Sequence, residues 1–321
     1  MAKVLISCLV FYLSSLLSVW AANFDGSSCI APAKPKGGFD VTCQLLNEAL
    51  LKNKEIKKPL AIVYQPGGVG ALAFNTTVRQ YPGEKSRLVA FSSGTLLNLA
   101  QDRFGSYTID DVKWLAVVGV DYGVVAVNKN SPFKDLSSLI EALKTSPEQI
   151  AFGTSGTIGS QDWIKSALIS RAAGLSHKRM KVVAFEGGGD ALNALQGGHI
   201  QVFTGDTGEV TKLMSTGQVK VLAVLSQQRM PAVWARIPTA KEQGYDITWS
   251  SLRGVYVGPN VPESDKREWE NAIGRSVTKA SYDGYLGAYG FQYQRVMGAE
   301  LQVLVRKTVE DYKQLLREFG N

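Results

Sequence analysis

Five stretches of this chain are rich in glycine, serine and threonine, and each opens a segment with helical periodicity. They are Lys36-Gly37-Gly38-Phe39-Asp40, Tyr64-Gln65-Pro66-Gly67-Gly68-Val69-Gly70, Ser92-Ser93-Gly94-Thr95, the run from Gly153 to Ser160, and Glu186-Gly187-Gly188-Gly189-Asp190. Their common chemistry is anion binding. Glycine lets successive backbone N–H groups converge on a charge with no side chain in the way. A helix N-terminus adds unpaired donors and about half a positive charge, and Ser and Thr hydroxyls add adjustable ones. One such loop is ordinary turn geometry; five in one chain point to a shared anion site.

The same residues exclude other chemistry. No loop places a Lys after its closing Gly, and none fits a dinucleotide fingerprint, so nucleotides are not the ligand. The run Gly153-Thr154-Ser155-Gly156-Thr157 misses the spacing of a nucleophile elbow. Only two histidines occur: His177 lies in a polar connection, Ser176 to Arg179, and His199 follows Gly198 at a strand start. Neither belongs to a nucleophile–base pair, and no Cys/His/acid grouping has metal-ligand spacing. The expectation is a binding protein with no catalytic residue, metal or cofactor.

Strand-like and helix-like segments alternate, which predicts an α/β fold with largely parallel sheets. The β-rich runs are 60–64, 88–91, 114–120, 124–128, 150–152, 182–185, 200–204, 219–225 and 255–257. In such sheets ligands lie beyond the carboxyl ends of strands, where these loops fall. Asp135 reads as the N-cap of a helix whose apolar face is Leu136, Leu139, Ile140 and Leu143. A second helix starts at Pro262. A closing helix stripes Leu301, Leu304, Val305, Tyr312 and Leu316, and both are expected to pack back across the first domain. The predicted organisation is 1–21 as signal peptide, 22–121 plus 227–321 as a discontinuous domain 1, and 122–226 as domain 2. Two domains around a cleft make a hinge-closing architecture.

Export fits the N-terminus. Lys3 precedes an uncharged run from Val4 to Trp20, and Val19-Trp20-Ala21 offers small residues for cleavage. Cys8 leaves with that segment, so Cys29 and Cys43 meet an oxidising compartment, where a disulfide is expected and two buried thiols are the alternative. The net charge of +7, or +6 without Lys3, favours anions. No basic run marks a nucleic-acid face.

The chain resembles the solute-binding receptors of the tripartite tricarboxylate transporter family, the Bug-type receptors, over its whole mature length. The matching residues are Cys29-Ile-Ala-Pro-Ala-Lys34, Gly37-Gly-Phe-Asp40, Pro66-Gly-Gly-Val-Gly-Ala71, Ser92-Ser-Gly94, Gly156-Thr157 with Gly159-Ser-Gln-Asp162, Glu186-Gly-Gly-Gly189, Gly197-Gly-His-Ile-Gln201 and Ile237-Pro-Thr-Ala-Lys-Glu-Gln-Gly244. The extended forms resemble its citrate-type branch. The resemblance implies a periplasmic-binding-protein-like Venus flytrap (type II) in the periplasm. It would bind a tricarboxylate such as citrate as a monomer and deliver it to the transporter's membrane subunits. A receptor for another organic acid, or a sensory protein presenting its ligand to a signalling partner, is the alternative.

Carried over by position, the first-domain ligand candidates are Gly38, Phe39, Asp40, Gly67, Gly68, Val69, Ser92, Ser93 and Gly94. Those of the second domain are Thr157, Gly159, Ser160, Gln161 and Asp206. Asp40 has a helix cap as its alternative role, and Asp206 would accept a hydrogen bond from a ligand hydroxyl or water. Arg253 is either a bidentate partner for an additional carboxylate or a surface residue.

Overall fold

The computed structural model describes residues 24–103, 105–282 and 289–320, so the predicted signal segment lies outside the described residues. Two mixed sheets organise the chain. The first is built from β1 (Ser28–Ala31), β2 (Ala61–Tyr64), β3 (Arg87–Ser92), β4 (Lys113–Tyr122), β10 (Ser250–Val257) and β11 (Val296–Met297), in the order β11-β4-β10-β3-β1-β2. The second holds β5 (Val124–Asn128), β6 (Ala151–Ser155), β7 (Lys181–Phe185), β8 (Val202–Phe203) and β9 (Val219–Val224), in the order β7-β6-β8-β5-β9.

Each sheet is parallel on one side only. β1 runs parallel to β2 and β3, whereas β10 is antiparallel to β3 and β4. Likewise β6 is parallel to β7 and β8, and β5 is antiparallel to β8 and β9. The expectation of largely parallel sheets is corrected here. The long strands that carry the chain between the sheets enter and leave without a helical crossover, and such returns pair antiparallel. β1 and β11 were also not expected; at four and two residues they are too short to show alternation.

Helices cover both faces of each sheet, because each strand face is apolar. On the first sheet, α1 (Gly38–Lys52) and α8 (Glu263–Ser276) bury Leu45, Leu46, Leu50, Trp269 and Ile273 against one face. On the other face, α2 (Ala71–Gln80) and α3 (Ser93–Ala100) bury Phe74, Leu96 and Leu99 beside Phe91 and Trp114. The Cys29–Cys43 disulfide ties β1 to α1. On the second sheet, α4 (Leu136–Thr145) and α5 (Gln161–Ala172) cover one face, and α6 (Gly188–Gln196) and α7 (Thr207–Ser215) the other. Asp135 caps α4 by accepting from Ser138 N at 2.8 Å, and Leu136, Leu139, Ile140 and Leu143 are all buried, as their spacing predicts.

Three passes of the chain are laced together where the sheets meet. Gly123 N donates to Trp249 O (3.0 Å), Leu225 N to Gly123 O (2.7 Å), and Trp249 N to Leu225 O (2.7 Å). A β-carbon at Gly123 would lie 2.7 Å from Lys165 Cδ and 2.9 Å from Leu225 Cδ1, so this crossing needs glycine.

The closing helix, Gly298–Gly320, forms a further tie. Its first half buries Leu301, Val305 and Val309 on the first sheet. Its second half reaches the other sheet's core, where Tyr312 stacks on Trp249 (centroids 5.7 Å) and Phe319 meets Trp163 at 6.0 Å. Its stripe predicts packing across the first domain, and the structure adds the second sheet's core to that contact. At 23 residues it is ~35 Å long, enough to straddle both. His177 is half-buried against Phe319 and Trp163 rather than free in a connection.

Candidate functional site

The Gly-rich loops converge between the sheets on a narrow cleft. Its first wall contains Gly37, Gly38, Phe39 and Val69, and its second Ser155, Gly156, Gln161, Glu186, Gly187 and Gly188. Asp162, Asp206, Glu209 and Arg253 also line it.

The head of α1 lines the cleft with Gly37, Gly38 and Phe39. Its N-cap, Gly37, makes no side-chain cap, so the first-turn N–H groups have no partner from that residue. The Arg253 guanidinium lies against Gly38, so closely that a β-carbon there would collide with it. Asp40 does not line the cleft. Its carboxylate accepts from Lys36 N (2.7 Å), Gln44 Nε2 (2.9 Å) and the Tyr64 hydroxyl (3.0 Å), bracing the loop into α1.

The second loop is held in a left-handed path. Gly67, Gly68, Val69 and Gly70 all have positive φ, and Val69 adopts φ 53, ψ 49. A β-branched residue there is strained by ~1–3 kcal/mol. Asn98 supports it by donating to Gly68 O (2.6 Å) and Val69 O (3.1 Å). The Val69 side chain wedges between Gly94 and Gly156, one from each sheet's loops, and a β-carbon at either would fall within 2.8 Å of it. The glycines are thus spacing for Val69 as much as room for a ligand.

Ser92 and Ser93 are buried beneath the cleft. Ser92 caps α3, its Oγ accepting from Gly94 N at 3.1 Å, and Ser93 Oγ accepts from Leu252 N at 2.9 Å. Ser160 caps α5 through Trp163 N (3.4 Å). Gly159 O accepts from Gln101 (2.6 Å), and Ile158 O from Arg103, which draws the second-sheet loop onto the first sheet's helix end. Thr157 is exposed. Of the predicted residues, the structure therefore brings Gly38, Phe39, Val69, Gln161, Asp206 and Arg253 into the cleft wall. Asp40, Gly67, Gly68, Ser92, Ser93, Gly94, Thr157, Gly159 and Ser160 stand behind it or at its rim.

Beneath the wall lies a charge network that the sequence reading did not find. Arg253 is 2% exposed, which removes the surface reading of it. Its Nε and Nη2 donate to the two oxygens of Asp121 (2.8 and 3.0 Å), and Nη2 also reaches Asp206 Oδ2 at 2.7 Å. Lys165 Nζ contacts Asp206 Oδ1 (2.5 Å), Asp162 Oδ1 (2.9 Å) and Gly205 O (2.8 Å). Gln161 Nε2 donates to Asp206 Oδ2 at 3.1 Å, while its Oε1 accepts from Ser251 (3.3 Å). Asp206 thus joins cations from both sheets, Lys165 on α5 and Arg253 on β10. A further cross-cleft pair, Lys34–Asp190 at 2.8 Å, sits exposed at the rim.

Burial sets the protonation of this network. It opposes the charge on Asp206, but Lys165 and Arg253 outweigh it and hold that carboxyl below its usual range. Burial likewise opposes the Lys165 and Arg253 cations, and their acidic partners reverse it, keeping both charged. Asp121 goes the other way. Burial, reinforced by Asp206 and only partly offset by Arg253, pushes it up to about 6. Asp162 is also raised, chiefly by burial. Among the described residues no group of His, Cys, Asp and Glu could hold a metal ion, and no helix is long and apolar enough to cross a membrane.

Comparison with known proteins agrees with this architecture. The chain is 25% identical over 221 residues to protein BugT of Bordetella pertussis, a match covering 67% of this chain and 65% of that relative. Its fold is that of the periplasmic binding protein BugD, with TM-score 0.83, 17% identity, and coverage of 92% and 97% of the two chains. It is also that of MatC from Rhodopseudomonas palustris, solved with bound malate (TM-score 0.79, 21% identity, 90% and 98% covered). An R. palustris protein solved with adipate is equally similar, at TM-score 0.83, 17% identity and 94% and 98% coverage. The family whose model the chain matches is one of receptors rather than enzymes. Residues 46–321 match the tripartite tricarboxylate transporter family receptor, and the chain belongs to that family of periplasmic solute receptors.

Proposed function

We propose that this chain is exported by its N-terminal segment and acts as a monomeric periplasmic receptor. It closes on a small organic acid and delivers it to the membrane subunits of a tripartite tricarboxylate transporter. The observation that carries this reading is the convergence of two anion donors on one place: the uncapped head of α1 and the Arg253 guanidinium lying on Gly38. A ligand carboxylate seated there would take backbone N–H groups of the first turn and Arg253 Nη1. Arg253 spends its other two nitrogens on Asp121 and Asp206. Domain closure would then follow from contacts the ligand makes with both walls.

The family resemblance names a tricarboxylate such as citrate first. The geometry supports one or two carboxylates better, because a third would face Asp162 and Asp206, whose cations are already divided among acidic partners. The malate and adipate bound by fold neighbours fit the same class. The test is the melting temperature of refolded, ligand-free protein against mono-, di- and tricarboxylates. A binder at a hundredfold excess over its Kd stabilises the native state by ~2.7 kcal/mol. Dicarboxylates are expected to raise the melting point more than citrate does. A larger rise with citrate returns the tricarboxylate reading, and no rise with any acid overturns the proposal.

A further inference from the structure

Four buried or half-buried carboxylates, Asp121, Asp162, Asp206 and Glu209, share the cleft floor with two cations, Lys165 and Arg253. Acids exceed bases by two in a cleft whose proposed ligand is itself an acid. Three of the four hold ion pairs, Asp121 with Arg253, Asp162 with Lys165, and Asp206 with both. Glu209 has no ion pair among the described residues. Its Oε2 accepts from Asp206 N at 3.1 Å, which leaves Oε1, and Oε1 lies over Gly188 at the head of α6, in the cleft wall.

The surroundings of Glu209 are mostly negative. Asp206 opens its own helix, and Asp162 faces it from α5, where Lys165 is already divided between Asp162 and Asp206. Arg253 on β10 is likewise divided between Asp121 of β4 and Asp206. Glu186 precedes α6, and Asp190 on α6 is held by Lys34. Lys212, the cation of its own helix, lies one turn further along.

We propose that Glu209 meets the ligand as a neutral acid and donates its Oε1 proton to a ligand carboxylate oxygen, so that this receptor binds its ligand in linkage with one proton. The proposal rests on the carboxylate reading above and adds the second contact that reading lacks. It also removes the conflict between an acidic cleft and an acidic ligand. One carboxylate sits on α1 and Arg253, and another shares the Glu209 proton. No covalent bond changes; the proton stays between two oxygens. Burial, with Asp162 and Asp206 beside it, pushes Glu209 up to about 8, so the group keeps its proton at neutral pH.

The sign follows from linkage. A bound carboxylate raises Glu209 further, so affinity is highest where the free group is protonated and falls as pH rises through its value. The experiment is calorimetric titration of the refolded protein with malate and with adipate, from about pH 6.5 to about pH 9.5, in two buffers of different ionisation heat. For the better binder, Kd is expected to be nearly constant up to about pH 7.5 and then to rise toward about tenfold per pH unit. Proton uptake should climb over the same interval from near zero toward one. Glu209→Gln, whose amide donates without titrating, should lose both the pH slope and the proton uptake, whatever its affinity at neutral pH. If Glu209→Gln does not fold, wild-type proton uptake alone decides. A flat wild-type profile, or the same slope in Glu209→Gln, overturns the proposal and leaves the receptor reading intact. No binding of either acid at any pH overturns both.

Discussion

Replacing Arg253 with Met keeps an unbranched stem and removes the charge that joins Asp121 to Asp206. Arg253 makes three charge-assisted hydrogen bonds of 2.7–3.0 Å, and its side chain and both partners are at most 3% exposed. Breaking a buried pair from one side leaves the other charge uncompensated and costs about 3–5 kcal/mol. With ~300 ordered residues and an unfolding entropy of ~2.1 cal/mol/K per residue, that is a fall of roughly 5–8 °C in melting temperature. The loss should also depend on pH. Asp121 is held up to about 6 with Arg253 present, mainly by burial, and rises further without it. A carboxyl raised above its unfolded value near ~3.9 contributes stability that is fully present below that value and is lost as pH rises through the folded one. Arg253→Met should therefore be damaged less near pH 5, where Asp121 is neutral, than near pH 8. Differential scanning calorimetry of both proteins at the two pH values is the assay. An equal loss at both, or a loss below ~1 kcal/mol, refutes the claim that a buried, uncompensated Asp121 sets the cost.

Two further outcomes follow from single contacts. Gly38→Ala places a β-carbon against the Arg253 guanidinium; carboxylate affinity should fall at least about tenfold, or ~1.4 kcal/mol, with the fold retained by circular dichroism. Unchanged affinity would remove the α1 head as the anion seat. Cys29→Ser with Cys43→Ser opens a link between positions 14 apart, and denaturant unfolding should register a loss of ~3 kcal/mol. Equal stability of oxidised and reduced wild type would contradict that.

The loops were legible because their chemistry is local. Glycine runs at helix starts reveal themselves through composition, and Asp135 with its apolar stripe at 136, 139, 140 and 143 reads directly as a capped helix. The charge network was not legible, because apart from Asp162 with Lys165, three residues away, its ion pairs are 41 to 132 residues apart in sequence and no period connects them. Signals were present nonetheless. Asp121 ends the otherwise apolar run Trp114–Val120, and Lys165 interrupts the apolar stretch Trp163 to Ile169. A charge in such company must be paired if it is buried. Asp206 and Glu209 stand in the N-cap and third-residue spacing of a capping box, which predicts their contact but not the cleft beside it. The closing helix meets the same limit: its stripe runs on through Tyr312 and Leu316, and periodicity does not say how many sheets a stripe covers.

The central claim is that a carboxylate is what the cleft grips, and matched ligands test it most directly. Refolded protein would be titrated calorimetrically with malate and adipate, and with the diamide of each. The account predicts saturable one-to-one binding of at least one diacid and at least about a hundredfold weaker binding of its diamide, a difference of ~2.7 kcal/mol. Equal affinity for acid and amide would contradict it, since the head of α1 and Arg253 would then be recognising shape rather than charge.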